Sequence, residues 1–126
     1  MNFWVIIIMI FCHIVDDYYL QGILAKMKQK DFWSGNLNSL YRKDYIVALI
    51  MHAFSWSFMI MLPLLITFSF KFNWFVFIVF FINLGVHAFV DDLKANKKKI
   101  NLVIDQTIHI VQIIITAIIV PLLYLI

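Results

Sequence analysis

Cysteine is nearly missing from this chain: Cys12 is the only one in 126 residues. An internal disulfide is therefore impossible, and so is any cysteine-based metal motif. A lone thiol in an apolar helix reads as a small packing residue. Charge is scarce as well, at 13% of residues against 64% hydrophobic, with a mean hydropathy of +0.95. Those values exclude a soluble domain of this size, and the length leaves room for one domain, 1–126. Repeats, low-complexity segments and a basic n-region before the first apolar run are also lacking. Asp16 and Asp17 stand where a signal peptide would have small residues, so the first run is expected to be a permanent span.

Apolar runs long enough to cross a bilayer recur at about 2–24, 45–70, 74–93 and 102–126. The expected fold is all-α, a small four-helix transmembrane bundle with short connections and one longer cytoplasmic loop. Pro63 is expected to kink the second span towards its far end, and Pro121 lies near the end of the fourth. The long connection, 25–44, carries Phe32, Trp33, Leu37, Leu40 and Tyr41, which suit a short amphipathic piece held at the membrane interface. An ordinary mobile loop with a few aromatic anchors is the alternative.

Net charge is +3, and its placement says more than its sum. Lys26, Lys28, Lys30, Arg42 and Lys43 fall in the first connection; Lys94, Lys97, Lys98 and Lys99 fall in the third; only Lys71 lies elsewhere. Basic residues beside spans mark the cytoplasmic side, so both termini are expected on the non-cytoplasmic side of an inner membrane. Residues 94–99 interleave no base-stacking aromatics. The expected partners are therefore membrane lipids, with anionic headgroups near the lysines, and not nucleic acid. Lys94, Tyr18 and Tyr19 read as interfacial anchors.

Each expected span carries one of the four histidines: His13, His52, His87 and His109. Three have an aspartate four residues away, as His13/Asp17, His87/Asp91 and Asp105/His109, and positions four apart share a helix face. At 1.5 Å rise per residue, all of these groups lie roughly 5–20 Å from the cytoplasmic helix ends. The outer half holds almost nothing ionisable. A lipid-facing Asp costs about 2.5–3.5 kcal/mol, so the stripes His13–Asp17–Gln21, Asn83–His87–Asp91 and Asp105–His109–Gln112 are expected to point inward and meet.

Neutral imidazoles and carboxylates are ligands for divalent metals such as Zn, Mn or Fe. His13, Asp17, His52, His87, Asp91, Asp105 and His109 are the candidate ligands, enough for one ion or for two sharing a carboxylate. Asp16 and Asp92 are candidate general bases and Gln21 and Gln106 candidate oxyanion donors; Asp16, Asp92 and Gln21 could instead orient ligands. A hydrogen-bonded His–Asp network without metal is the competing reading.

The segments HIVDDYYLQ (His13, Asp17, Gln21), HAFVDDLK (His87, Asp91, Lys94) and IDQTIH (Asp105, Gln106, His109) resemble domain-of-unknown-function family 3307, small bacterial and phage membrane proteins. The resemblance spans nearly the whole chain. It implies HxxxDxxxQ in the first helix, a His in the second, HxxxD in the third and DQxxH in the fourth. Asp16 stands where that family usually has a small residue, and Asp92 adds a second acid after the HxxxD pair. The HxxxD helices are similar to those of membrane-bound metal-dependent hydrolases. The expected function is a metal-dependent membrane hydrolase acting on a lipid-like or phosphorylated substrate. The rivals are a proton or metal-ion carrier acting as a homo-oligomer, and a non-catalytic accessory protein with a structural metal.

Overall fold

The computed structural model describes residues 3–35 and 39–125, and these contain helices and turns but no strand. Asn2, Leu37 and Ile126, which the expected spans and interfacial loop include, lie outside the described residues. α1 (Phe3–Val15) passes directly into a π-helical turn, Asp16–Leu20. The Gln21 N–H closes that turn, donating to the Asp16 carbonyl five residues back at 3.1 Å. Gly22 then adopts φ +50°, the left-handed region in which a side chain would be strained. The first long helix therefore ends at Leu20, short of the expected Leu24, and the chain turns back towards the bundle.

The connection that follows folds into short helices, so it is not a loose loop. α2 (Leu24–Met27) packs on the second long helix, and α3 (Lys30–Trp33) follows it. The Trp33 indole N–H donates to the Met27 carbonyl at 2.7 Å, and its ring stacks on Tyr41. Asn96, just past the third long helix, ties the connection to the polar end of the bundle. Its amide donates to the Lys28 carbonyl at 3.1 Å, and its side-chain oxygen accepts from the Lys30 N–H at 2.7 Å.

A 3₁₀ turn, Ser39–Lys43, leads straight into α4 (Asp44–Thr67). Pro63 lies inside α4 without interrupting it, and Thr67 donates its hydroxyl to the Pro63 carbonyl at 2.8 Å. α5 (Trp74–Ala95) and α6 (Leu102–Leu123) each start at an asparagine cap, Asn73 and Asn101, whose side-chain oxygens accept first-turn N–H groups. The four helical stretches Phe3–Leu20, Ser39–Thr67, Trp74–Ala95 and Leu102–Leu123 are long and apolar enough to cross a membrane.

These four pack as a ring in the order α1, α4, α5, α6, with α4 also touching α6 across the middle. The interior divides along its length. One end is apolar, filled by Met9, Ile60, Met61, Leu64, Val76, Ile113, Ala117 and Val120. The other end holds His13, His52, His87, His109, Asp16, Asp91 and Asp105, all buried. Trp56, fully buried, touches both: it belongs to the apolar core and stacks on His87. Outside, the ring is lined with exposed large apolar side chains such as Phe11, Phe54, Phe75, Ile82 and Ile115. Charge inside and apolar surface outside invert the usual arrangement of a water-soluble domain.

Candidate metal centre

Asp91 is the centre of the polar end. Its Oδ2 lies 3.3 Å from His52 Nε2 and 3.7 Å from His87 Nε2, while its Oδ1 lies 3.5 Å from His109 Nε2. His52 Nε2 is also 3.1 Å from His87 Nε2 and 3.4 Å from Asp17 Oδ1. His109 Nε2 faces Asp105 Oδ1 at 3.3 Å. Two overlapping sets of donor atoms result, Asp17/His52/His87 and His87/Asp91/His109, each compact enough to hold an ion. Side chains from α4, α5, α6 and the π turn contribute, so the centre exists only in the assembled bundle.

The spacing of these donors suits a cation better than it suits hydrogen bonds. A tetrahedral ion with bonds of about 2.0–2.1 Å holds its donors about 3.3 Å apart. Asp17 Oδ1, Asp105 Oδ1 and His109 Nε2 are buried without any hydrogen-bond partner, yet all three face other ligand-type atoms. Leaving a buried polar atom unsatisfied costs about 1–3 kcal/mol. Cations in the two donor sets would reach Asp17 Oδ1 in one and His109 Nε2, with Asp105 Oδ1 3.3 Å from it, in the other, and oxygen and imidazole donors fit Zn, Mn or Fe.

The remaining sequence candidates take other places. His13, expected as a ligand, has both ring nitrogens engaged. Nδ1 accepts from the Trp56 indole N–H at 2.7 Å, which leaves Nε2–H to donate to Gln106 Oε1 at 3.0 Å. Its contact with Asp17, at 3.5 Å, is present but secondary. The Gln106 amide then donates to Asp105 Oδ2 at 3.0 Å, so Trp56, His13 and Gln106 form a chain that orients Asp105. Gln106 is thus a link in this chain, with its oxygen and one amide N–H already committed.

Asp16 sits behind His52, its Oδ2 3.8 Å from Nδ1, on the side of the ring away from the donors; Ser55 donates to its other oxygen. At that distance, beyond a hydrogen bond, the carboxylate backs the far nitrogen of His52 electrostatically. Asp92 is not in the cluster. It accepts from Asn96 at 2.8 Å and pairs with Lys97 at 3.1 Å, on the outer side of α5. The regular α-helix turns about 100° per residue, so Asp91 and Asp92 cannot both face inward. Gln21 stays near the centre: its amide donates to the Asp17 carbonyl, and its Oε1 is buried and unpartnered.

Two lysines reach the centre that composition assigned to membrane topology. Lys28 Nζ lies 2.6 Å from Asp91 Oδ2, and Lys94 Nζ 2.6 Å from Asp105 Oδ2. Lys94 shares a face with Asp91 three residues earlier, a spacing legible in the sequence. Lys28 gave no such signal, because the turn at Gly22 brings it back across 63 positions. Trp56 was legible in hindsight as the residue four after His52. Farther along, Asn83, Gln112 and Thr116 close a second buried polar knot, with Gln112 donating to Asn83 Oδ1 at 2.8 Å and Asn83 to Thr116 at 3.0 Å. No family model, curated protein or solved structure matches this chain.

Proposed function

We propose that this chain is an integral membrane protein whose polar end, near the cytoplasmic face, is a divalent-metal centre for hydrolysis of a lipid-like or phosphorylated substrate. The observation that carries the metal reading is the set of buried, unpartnered donor atoms of Asp17, Asp105 and His109, gathered around Asp91 with His52 and His87. The apolar exterior supports the membrane setting, and the clustering of Lys and Arg near the polar end supports its cytoplasmic orientation. The motifs that resemble family 3307 supply most of the side chains of the centre.

Asp17, His52, His87, Asp91, Asp105 and His109 would hold the ion or ions, with Asp16 orienting His52, and with His13 and Gln106 orienting Asp105. A bound divalent metal supplies an acidified water and a positive charge for the developing oxyanion. Hydrolysis adds that water across the scissile ester: the oxygen goes to the acyl or phosphoryl group, one proton goes to the leaving alcohol, and the second is released. Asp17 would hold the ion through Oδ1, which has no other donor. Beyond the Asn83–Gln112–Thr116 knot the interior is apolar, which favours a site closed on that side over a conducting path.

Elemental analysis of protein purified in detergent without added metal tests the reading, followed by a panel of phosphate and carboxylate esters with Mn or Zn present. Stoichiometric metal and chelator-sensitive ester turnover are expected. Absence of metal, unrestored by Mn or Zn, sinks the metal centre. Metal without turnover of any ester sinks the hydrolase and leaves a structural or transporting ion.

A further inference from the structure

A cavity of about 400 Å³ opens beside the centre, with Asp91 at its inner wall and Gln21, Lys28, Gln29 and Lys94 around it. Of the larger cavities it is the one lined by side chains of the candidate centre. Two ammonium groups in one small polar cavity describe an anion site. Yet here both ammoniums rest on carboxylates, Lys28 on Asp91 and Lys94 on Asp105. Those carboxylates are the ones a metal ion would claim.

The charges can be counted. Asp16, Asp17, Asp91 and Asp105 bring four negative charges to the buried centre, and Lys28 and Lys94 bring two positive ones, leaving minus two with neutral imidazoles. One divalent cation cancels that charge. A second, for which the overlapping donor sets leave room, makes it plus two. A metal bound through the Oδ1 atoms that face His109 would neutralise Asp91 and Asp105 and loosen the hold of the lysines on the Oδ2 atoms, and the two-metal state would leave their ammoniums unneutralised beside the cavity.

We infer that this cavity binds the phosphate dianion of the substrate, gripped by Lys28 and Lys94 once a divalent metal has taken Asp91 and Asp105. The inference rests on the metal centre proposed above and names its substrate class: a phosphomonoester, carried either by a lipid or by a soluble alcohol. A phosphate dianion matches the charge of the two-metal state, and charge-assisted bonds to ammonium groups are the strong ones. Lysines in this arrangement act as built-in counter-ions that exchange carboxylate for phosphate, so metal and phosphate binding are coupled in the same direction.

The test is calorimetric titration of inorganic phosphate into protein in maltoside detergent, with and without Mn(II), alongside a count of bound Mn. The wild type should retain Mn and bind phosphate only when Mn is present. Lys28→Gln with Lys94→Gln should weaken phosphate at least about tenfold, as expected for losing charge-assisted bonds. The same variant should bind Mn as tightly or more tightly, because competing ammoniums have gone. A merely structural role for the lysines does not produce these opposite shifts. Lys28→Arg with Lys94→Arg should restore phosphate binding, and Lys98→Gln, on the exposed connection, should change nothing.

Mn retained with phosphate affinity unaltered by the Gln pair overturns the cavity and spares the metal centre. Mn absent overturns both, and the metal count separates the two results. Phosphatidic acid in mixed micelles and glycerol phosphate in buffer then compete against phosphate. Displacement by the first assigns the lipid source, displacement by the second the soluble one, and displacement by neither refutes the phosphomonoester.

Discussion

Asp16–Asp17 and Asp91–Asp92 are the same dipeptide in two backbone settings, and only one of them turns both acids inward. At the end of α1 the helix widens into a π turn, and both carboxylates enter the bundle, Asp16 behind His52 and Asp17 in front of it. On α5 the helix stays regular, so Asp91 faces three imidazoles while Asp92 points away to Asn96 and Lys97. The composition of a motif does not decide how many of its groups reach a site; the local helical pitch does. π turns are uncommon and recur at functional sites. Here the turn places one carboxylate on each side of a single imidazole, and the glycine after it sends Lys28 back towards Asp91.

The comparison breaks most completely at Asp91. Asp91→Asn removes the one carboxylate that faces His52, His87, His109 and Lys28 together. It leaves the Lys28 ammonium partly buried without its counter-charge, a loss of the size found when one partner of a buried ion pair is deleted, about 3–5 kcal/mol. Metal content measured on the purified variant is expected to fall to zero, with a lower thermal midpoint in detergent. A variant that retains stoichiometric metal would remove Asp91 from the centre.

Asp16→Asn probes the inward acid that sits behind a ligand. It keeps the hydrogen bond from Ser55 possible but weakens the orientation and basicity of His52. Loss of such outer carboxylates typically lowers metal affinity about 10–100-fold. Competition against a metal chelator should read a drop in that range with stoichiometry unchanged. An affinity equal to wild type would mean that the π turn buries Asp16 for packing alone.

How far the site was legible follows from the same contrast. Histidines at one depth on four apolar segments, three of them paired with aspartate at helical spacing, predicted a shared inner cavity, and the bundle does bring His52, His87, His109, Asp17, Asp91 and Asp105 together. That part was readable because regular helices translate spacing into direction. What depended on departures from regular helix was not readable. The π turn moved Asp16 inward, and the positive φ at Gly22 delivered Lys28. His13 looked identical to the other histidines, and only the packing of Trp56 from a different helix shows that its ring is already saturated. Lys94 is ambiguous for another reason: a lysine at a helix end can serve as an interfacial anchor and as a counter-ion with the same side chain, and here it pairs with Asp105.

The smallest effect should come from the fourth acid of the two dipeptides. Asp92→Asn removes a half-exposed ion pair with Lys97 and retains an acceptor for the Asn96 amide. Pairs of that kind contribute about 0–1 kcal/mol, and nothing in the donor sets touches Asp92. Metal affinity and stoichiometry are therefore expected to equal the wild type in the same chelator competition, with at most a slight shift in thermal midpoint. The pair of variants is more informative than either alone, since Asp16→Asn and Asp92→Asn delete the same charge from the same dipeptide. Equal losses in both would show that total negative charge near the lysines governs metal binding. A loss confined to Asp16→Asn would trace it to the pitch of five residues at the end of α1.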